Sequence, residues 1–264
     1  MKLTIVGVGN LGGALAELLL AAGFCRDDMK LITRGSKRSV ARCEQLGLEP
    51  LGFESLRESD LVVLTVKPQD LVSVAKDLKL ALGVNTVILS MMAGVTCDLL
   101  GSLLEHRYVA RAMPNLGAVV GQSATVYYVN SECSEHQLSC VERVVTACGA
   151  IYKVANEALL DVATAVAGSG PAYLCWLGEQ MERFALAEGF SSDQAHAIVL
   201  QTFKGAVAYL EHAGERFSEL RCRVTSPGGT TAAALNVLEG ANSVEHFRAA
   251  ISAALERSRA LGRG

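Results

Sequence analysis

At 264 residues the chain can hold one large domain or two modest ones. Half of its residues are hydrophobic and only 5% are aromatic, which suits an α/β protein with closely packed helices. The formal charge is −3 and no basic run exceeds Arg34-Gly35-Ser36-Lys37-Arg38, so there is no electrostatic footprint for nucleic acid.

Leu3 to Val6 is a short apolar run that reads as a strand buried on both faces. It stops at Gly7-Val8-Gly9-Asn10-Leu11-Gly12, and helical spacing begins at once with Leu11, Leu15, Leu18 and Leu19. Strand, glycine turn and helix in that order are the context in which G-x-G-x-x-G binds a dinucleotide. Gly7 permits the tight turn, Gly9 lets a pyrophosphate approach the backbone, and Gly12 lets the helix pack on the strand. The stretch does not read as an export signal, because glycines interrupt its apolar region and Glu17 sits inside it.

Met29 to Thr33 reads as the second strand. An NAD enzyme tends to place a carboxylate near its end for the ribose 2′-hydroxyl. This chain has Thr33, Arg34 and Ser36 there, which offer donors to a 2′-phosphate. NADPH is therefore expected over NADH, with use of both left open; the alternative is a solvated basic loop. Residues 46–58 read as short helix and loop, and Asp60 to Val66 as a third, β-branched strand. Pro68 stops it, which leaves Lys67 at the carboxyl edge of the sheet, as a ligand contact or as a surface cap.

Thr86 to Met91 gives a fourth strand, followed by Ala93 and Gly94, small residues where backbone can approach a flat ring. Asp98 is expected to cap a helix over Leu99–Leu104. Tyr108 to Met113, Ala124 to Val129 and the stretch around Ile151-Tyr152 complete the strands, with a helix near Gln137–Cys148. This alternation predicts a Rossmann-type, doubly wound parallel sheet.

Beyond about residue 155 the β signal vanishes. Helices are expected over Asn156–Ala167, from Gly170-Pro171 to about Glu188, and from the Ser191-Ser192-Asp193-Gln194 start onward. The last of these is apolar on more than one side, which points to a partner surface, another copy of the chain. Ser226-Pro227-Gly228-Gly229-Thr230-Thr231 then leads into a helix through Glu239. Free N–H groups, the positive dipole end and two hydroxyls make either a carboxylate site or a simple cap. Val244 to Leu261 reads as a final packing helix. Residues 1–155 are thus expected to form a nucleotide-binding domain, and 156–264 an all-α domain for substrate binding and dimerisation.

The eight cysteines are scattered with no C-x-x-C, which suggests free thiols in a reducing cytoplasm. The five histidines show no H-x-x-x-H spacing, so no metal site is expected. Uncharged stretches over 80–97, 112–131 and 162–178 all contain glycine, and none is a continuous span for a membrane.

Together, several motifs resemble pyrroline-5-carboxylate reductases. They are the 7–12 turn, Val66-Lys67-Pro68-Gln69, Arg111-Ala112-Met113-Pro114-Asn115, Gly168-Ser169-Gly170-Pro171-Ala172-Tyr173, Gln201-Thr202 and Val224-Thr225 running into the 226–231 turn. The resemblance spans residues 3 to about 261. It implies hydride transfer from NADPH or NADH to the C=N bond of 1-pyrroline-5-carboxylate, giving L-proline, in homodimers with further assembly into decamers open. It implies a cofactor held by Gly7 to Gly12, Val66, Lys67, Pro68, Ala93 and Gly94. Ser226, Gly228, Gly229, Thr230 and Thr231 would bind substrate, Glu157 would approach it, and Thr231 would hydrogen-bond the ring nitrogen as the catalytic candidate.

The chain departs from the family pattern at Leu116-Gly117, at Ala167 and at Glu215-Arg216-Phe217. A β-hydroxyacid dehydrogenase shares the two-domain plan but wants a lysine base early in the helical domain, and none occurs between Lys153 and Lys204. A non-catalytic NADP(H) sensor would be favoured by loss of the 228–231 turn, which is intact.

Overall fold

The structure, a computed structural model, describes residues 1–240 and 242–262. Among these, β1 (Leu3–Val6), β2 (Met29–Ile32), β3 (Leu61–Leu64), β4 (Val87–Ser90), β5 (Val109–Met113), β6 (Ser123–Val129) and β7 (Gly149–Lys153) form one sheet in the order β2-β1-β3-β4-β5-β6-β7. The first five strands are parallel, with Ile5 in register between Leu31 and Val63. Alternate side chains serve two cores. Leu61 and Val63 face α1 (Asn10–Ala21) and α5 (Glu135–Thr146), while Val62 and Leu64 face α3 (Leu71–Ala81) and α4 (Cys97–Leu104). Burial on both faces explains why these strands read as continuous apolar runs.

The sheet departs from an all-parallel plan at its far edge. Only residues 114–122 separate β5 from β6, too few for a parallel crossover. β6 therefore runs antiparallel to β5, with Met113 opposite Val126, and β7 follows β6 in parallel after α5. Helices also form where none was expected, over α2 (Lys37–Gln45), α3, and α9 (Phe217–Arg223). In α3 the buried stripe Leu71, Val74, Ala75, Leu78 and Ala81 has the spacing of a core-facing helix. Thr96, not Asp98, caps α4: its side chain accepts from the Leu99 N–H at 3.2 Å.

Two compact units result. The first comprises Met1–Ser169 together with the chain from Ala254 onward, the second Gly170–Ala253. This differs from a division at 155/156. α6 (Leu159–Ala163) and the wide turn Thr164–Gly168 stay with the sheet through buried Leu160, Ala163 and Ala165, and Ser258 donates to Asp161 at 2.7 Å.

The second unit contains α7 (Gly170–Ala187), α8 (Ser192–Ala213), α9, α10 (Thr230–Gly240) and the start of α11 (Ser243–Leu261). α8 opens with the expected capping box between Ser191 and Gln194. α7 and α8 pack through Gly178, where a Cβ would lie 3.1 Å from the Phe203 ring. Among its described residues only Gly178, Ala195 and Val199 are buried, and Trp176, Phe184 and Phe217 are 60%, 69% and 81% exposed. Among the described residues no helix is long and apolar enough to cross a membrane.

Candidate active site

A cavity of about 290 Å³ opens at the carboxyl ends of β1, β2 and β3. Its walls include Gly7, Val8, Gly9, Thr33, Arg34, Ser36, Val66 and Lys67, all singled out by the sequence. Gly7 has φ +102° and donates its N–H to the Ile32 carbonyl at 2.8 Å, a turn that only glycine makes without strain. A Cβ at Gly12 would lie 2.2 Å from the Gly7 carbonyl oxygen and 2.4 Å from Thr65 Oγ1, so helix and turn touch backbone to backbone. A Cβ at Gly9 would meet nothing within 4 Å. That is the open cradle a pyrophosphate requires.

The helix behind this turn is one of several without a side-chain cap, α3 and α6 being others. Ser36, Thr96, Ser134 and Ser191 cap α2, α4, α5 and α8 with their side chains, whereas Gly9 leaves α1 without a side-chain cap. The first-turn amides, Asn10 and Leu11 among them, thus keep donors for an anion, helped by the dipole. Asn10 Oδ1 accepts from Arg38 at 2.8 Å, which brings a second cation to the same rim.

The opposite end of the cavity is a hydroxyl cluster. Thr33 donates to Ser39 Oγ at 2.5 Å, and Ser36 Oγ lies 2.8 Å from Ser39 Oγ. Arg34 is exposed beside them, its guanidinium 2.6 Å from the Asp70 carboxylate. Ser39, Thr65 and Asp70 escape the sequence reading. Ser39 lies one helical turn after Ser36, the spacing that could have revealed it once α2 was seen. Thr65 donates to the Gly7 carbonyl at 2.6 Å and fixes the turn from β3. Asp70 follows Lys67-Pro68-Gln69 with no motif of its own. Pro68 opens a 3₁₀ turn to Asp70 next to Lys67 but does not line the cavity.

Ala93 and Gly94 lie outside this cavity. Gly94 has φ +77°, and a Cβ there would sit 2.8 Å from both Leu261 Cβ and the Gly262 nitrogen. The loop after β4 therefore rests against the end of α11, within the first unit.

Glu157 also belongs to the first unit, and its carboxylate is engaged by the protein. Oε1 accepts from Arg111 Nη1 at 2.7 Å and from the Cys97 N–H at 2.8 Å, tying β5 to the start of α4. Arg111 is buried and its Nε has no partner among the described residues. Burial first, then the Glu157 charge, pushes the Cys97 thiol far above its ordinary range, so it is no nucleophile.

The 226–231 segment belongs to the second unit. The Gly229 N–H donates to the Ser226 carbonyl at 3.0 Å, with Pro227 and then Gly228 (φ +72°) between them, the signature of a type II turn. Thr230 begins α10, and Thr231 is half-buried in its first turn. Two of the three departures from the family pattern have local explanations, and nothing in the structure explains Ala167. Gly117 is required because a Cβ would lie 2.5 Å from the Gln122 carbonyl oxygen, and Glu215 pairs with Arg223 across α9. Among the described residues no group of three or more His, Cys, Asp or Glu is arranged to hold a metal.

An open anion cradle at the carboxyl edge of a parallel sheet, with a cationic hydroxyl-lined end, defines a dinucleotide-dependent oxidoreductase. A family model described as NADP oxidoreductase, coenzyme F420-dependent, matches residues 2–94, and one described as pyrroline-5-carboxylate reductase dimerisation matches residues 157–261. The chain is 32% identical to the pyrroline-5-carboxylate reductase of Pseudomonas aeruginosa, across 97% of this chain and 95% of that one. It superposes on a pyrroline-5-carboxylate reductase from Coxiella burnetii with a TM-score of 0.90 at 30% identity, covering 98% of each chain. The Plasmodium falciparum pyrroline carboxylate reductase, solved with NADP bound, gives 0.87 at 27% identity over 99% of this chain and 98% of that one. The chain belongs to the pyrroline-5-carboxylate reductase family.

Proposed function

We propose that the chain reduces 1-pyrroline-5-carboxylate to L-proline with NADPH, the last step of proline biosynthesis. The observation that carries the substrate is the type II turn at Ser226–Gly229 entering α10, intact in a chain similar along its whole length to reductases of this kind. Nucleotide binding falls to residues 1–155, and substrate binding and dimerisation to 156–264.

Gly7 to Gly12 hold the pyrophosphate through turn backbone and α1 amides. Thr33, Arg34 and Ser36 hold the 2′-phosphate, with Val66, Lys67 and Pro68 along the carboxyl edge and Ala93-Gly94 toward the ring. When bound, the cofactor supplies the hydride that reaches the C=N carbon. The protonated imine carries its own proton, so the protein must anchor and orient it more than acidify it. Ser226, Gly228, Gly229 and Thr230 anchor the carboxylate through N–H groups, hydroxyls and the α10 dipole. Thr231 donates or accepts at the ring nitrogen. Glu157 approaches the substrate from the frame that its bonds to Arg111 and the Cys97 N–H tie together. The protein is a homo-oligomer through its helical unit, and decameric assembly of dimers is part of the proposal. The cysteines are all free, which supports a cytoplasmic location.

The test is loss of reduced-nicotinamide absorbance with 1-pyrroline-5-carboxylate, run with NADPH and NADH in parallel. Imine-dependent oxidation, faster with NADPH, is expected. Thr231→Ala should lower kcat/KM about tenfold or more, with the loss in kcat if it acts at the ring nitrogen and in KM if it only binds. Cofactor binding without turnover would leave a sensor instead of a reductase.

A further inference from the structure

The cavity end assigned to the 2′-phosphate also holds a carboxylate. Asp70 lines it together with Arg34, and among the described residues it is the only acid that does. Its main chain is held independently of Arg34. The Asp70 N–H donates to the Lys67 carbonyl at 2.9 Å, and its own carbonyl accepts from Ser73 at 2.6 Å, closing the turn after Pro68. The Asp70 side chain is 25% exposed against 60% for Arg34, so the carboxylate is the fixed member of the pair and the guanidinium the movable one.

This placement has opposite consequences for the two cofactors. A phosphate monoester carries nearly two negative charges at neutral pH, so Asp70 repels it and competes with it for Arg34. A ribose 2′-hydroxyl is a donor that a carboxylate accepts, the service that the end of β2 does not offer here. We infer that Asp70 is a specificity-determining residue: it holds Arg34 in the cofactor-free protein, lowers the selectivity for NADPH over NADH, and gives NADH a usable site. The inference rests on the assignment of Arg34 to the 2′-phosphate.

Calorimetric titration of the full-length protein with NADP⁺, NAD⁺ and the fragment 2′,5′-ADP separates the two claims. Asp70→Asn removes the charge and keeps the shape. It should tighten NADP⁺ and 2′,5′-ADP about tenfold relative to NAD⁺, and the ratio of kcat/KM for NADPH and NADH should follow. Arg34→Ala should weaken NADP⁺ and 2′,5′-ADP while sparing NAD⁺. If Arg34→Ala collapses the selectivity but Asp70→Asn leaves it unchanged or lowers it, Asp70 merely positions Arg34 or does nothing, and the inference falls while the Arg34 assignment stands. If Arg34→Ala leaves the selectivity untouched, both fall.

Discussion

The two units of this chain are built on opposite economies of burial. In the first, Leu3, Ile5, Leu61 and Leu89 are fully buried and helices cover both faces of the sheet. In the second, three described residues are buried and large apolar side chains line the outside of α7, α8 and α9. A sheet closed by its own helices can stand alone, whereas a helical layer with its apolar faces outward needs a second copy to cover them. The nucleotide half is thus complete in one chain, and the helical half is completed by oligomerisation.

The sharpest way to break this contrast is a charge on the outer face of the second unit. Phe184→Glu should convert the oligomer to monomer in light scattering and lower kcat about a hundredfold or more, with the NADP⁺ Kd nearly unchanged. Retained oligomerisation would mean that another face does the work. The reciprocal variant lies in the first unit. Gly12→Ala forces a Cβ onto the Gly7 carbonyl and Thr65, and should weaken NADP⁺ about tenfold or more while the oligomer survives.

Next comes the buried pair that ties β5 to α4. Arg111→Met leaves the Glu157 carboxylate with the Cys97 N–H but without its cation, and should cost about 3 kcal/mol, read as a melting temperature lower by about 6–12 °C. The smallest expected effect is on acid stability. Burial lowers the pKa of His106, whose Nε2 donates to the Thr86 carbonyl at 2.5 Å. Because the folded value is depressed, the unfolded chain takes up this proton first, so stability is retained above about pH 6.5 and falls as pH drops below it. His106→Gln should flatten that slope in denaturant melts across pH 7 to 5.

How much of this was legible in the sequence depends on how local each determinant is. The β1–turn–α1 unit follows from consecutive residues, since one glycine sets φ, one opens the cradle and one permits packing. The Ser191–Gln194 box and the 226–231 turn are equally local. The reversed edge of the sheet was not read, because it depends on a loop length weighed against a crossover and not on any residue. Helix α2 was hidden by its polar composition, and with it Ser39. Asp70 and the engagement of Glu157 by Arg111 depend on contacts between residues 36 and 46 positions apart, which no periodicity encodes.

The missing cap on α1 reaches beyond the chemistry. Its first-turn amides lack the side-chain partner that α2, α4, α5 and α8 have, and a dinucleotide held there as proposed would supply one only while the chain is folded. By mass action, cofactor at a hundred times its Kd stabilises the native state by about 2.7 kcal/mol. Proteases that sample the opened chain act on the population that this shift depletes, roughly a hundredfold. The lifetime of the protein in a cell is therefore linked to the size of the nicotinamide nucleotide pool, and depletion of that pool would show as faster turnover of the polypeptide before any loss of its intrinsic activity.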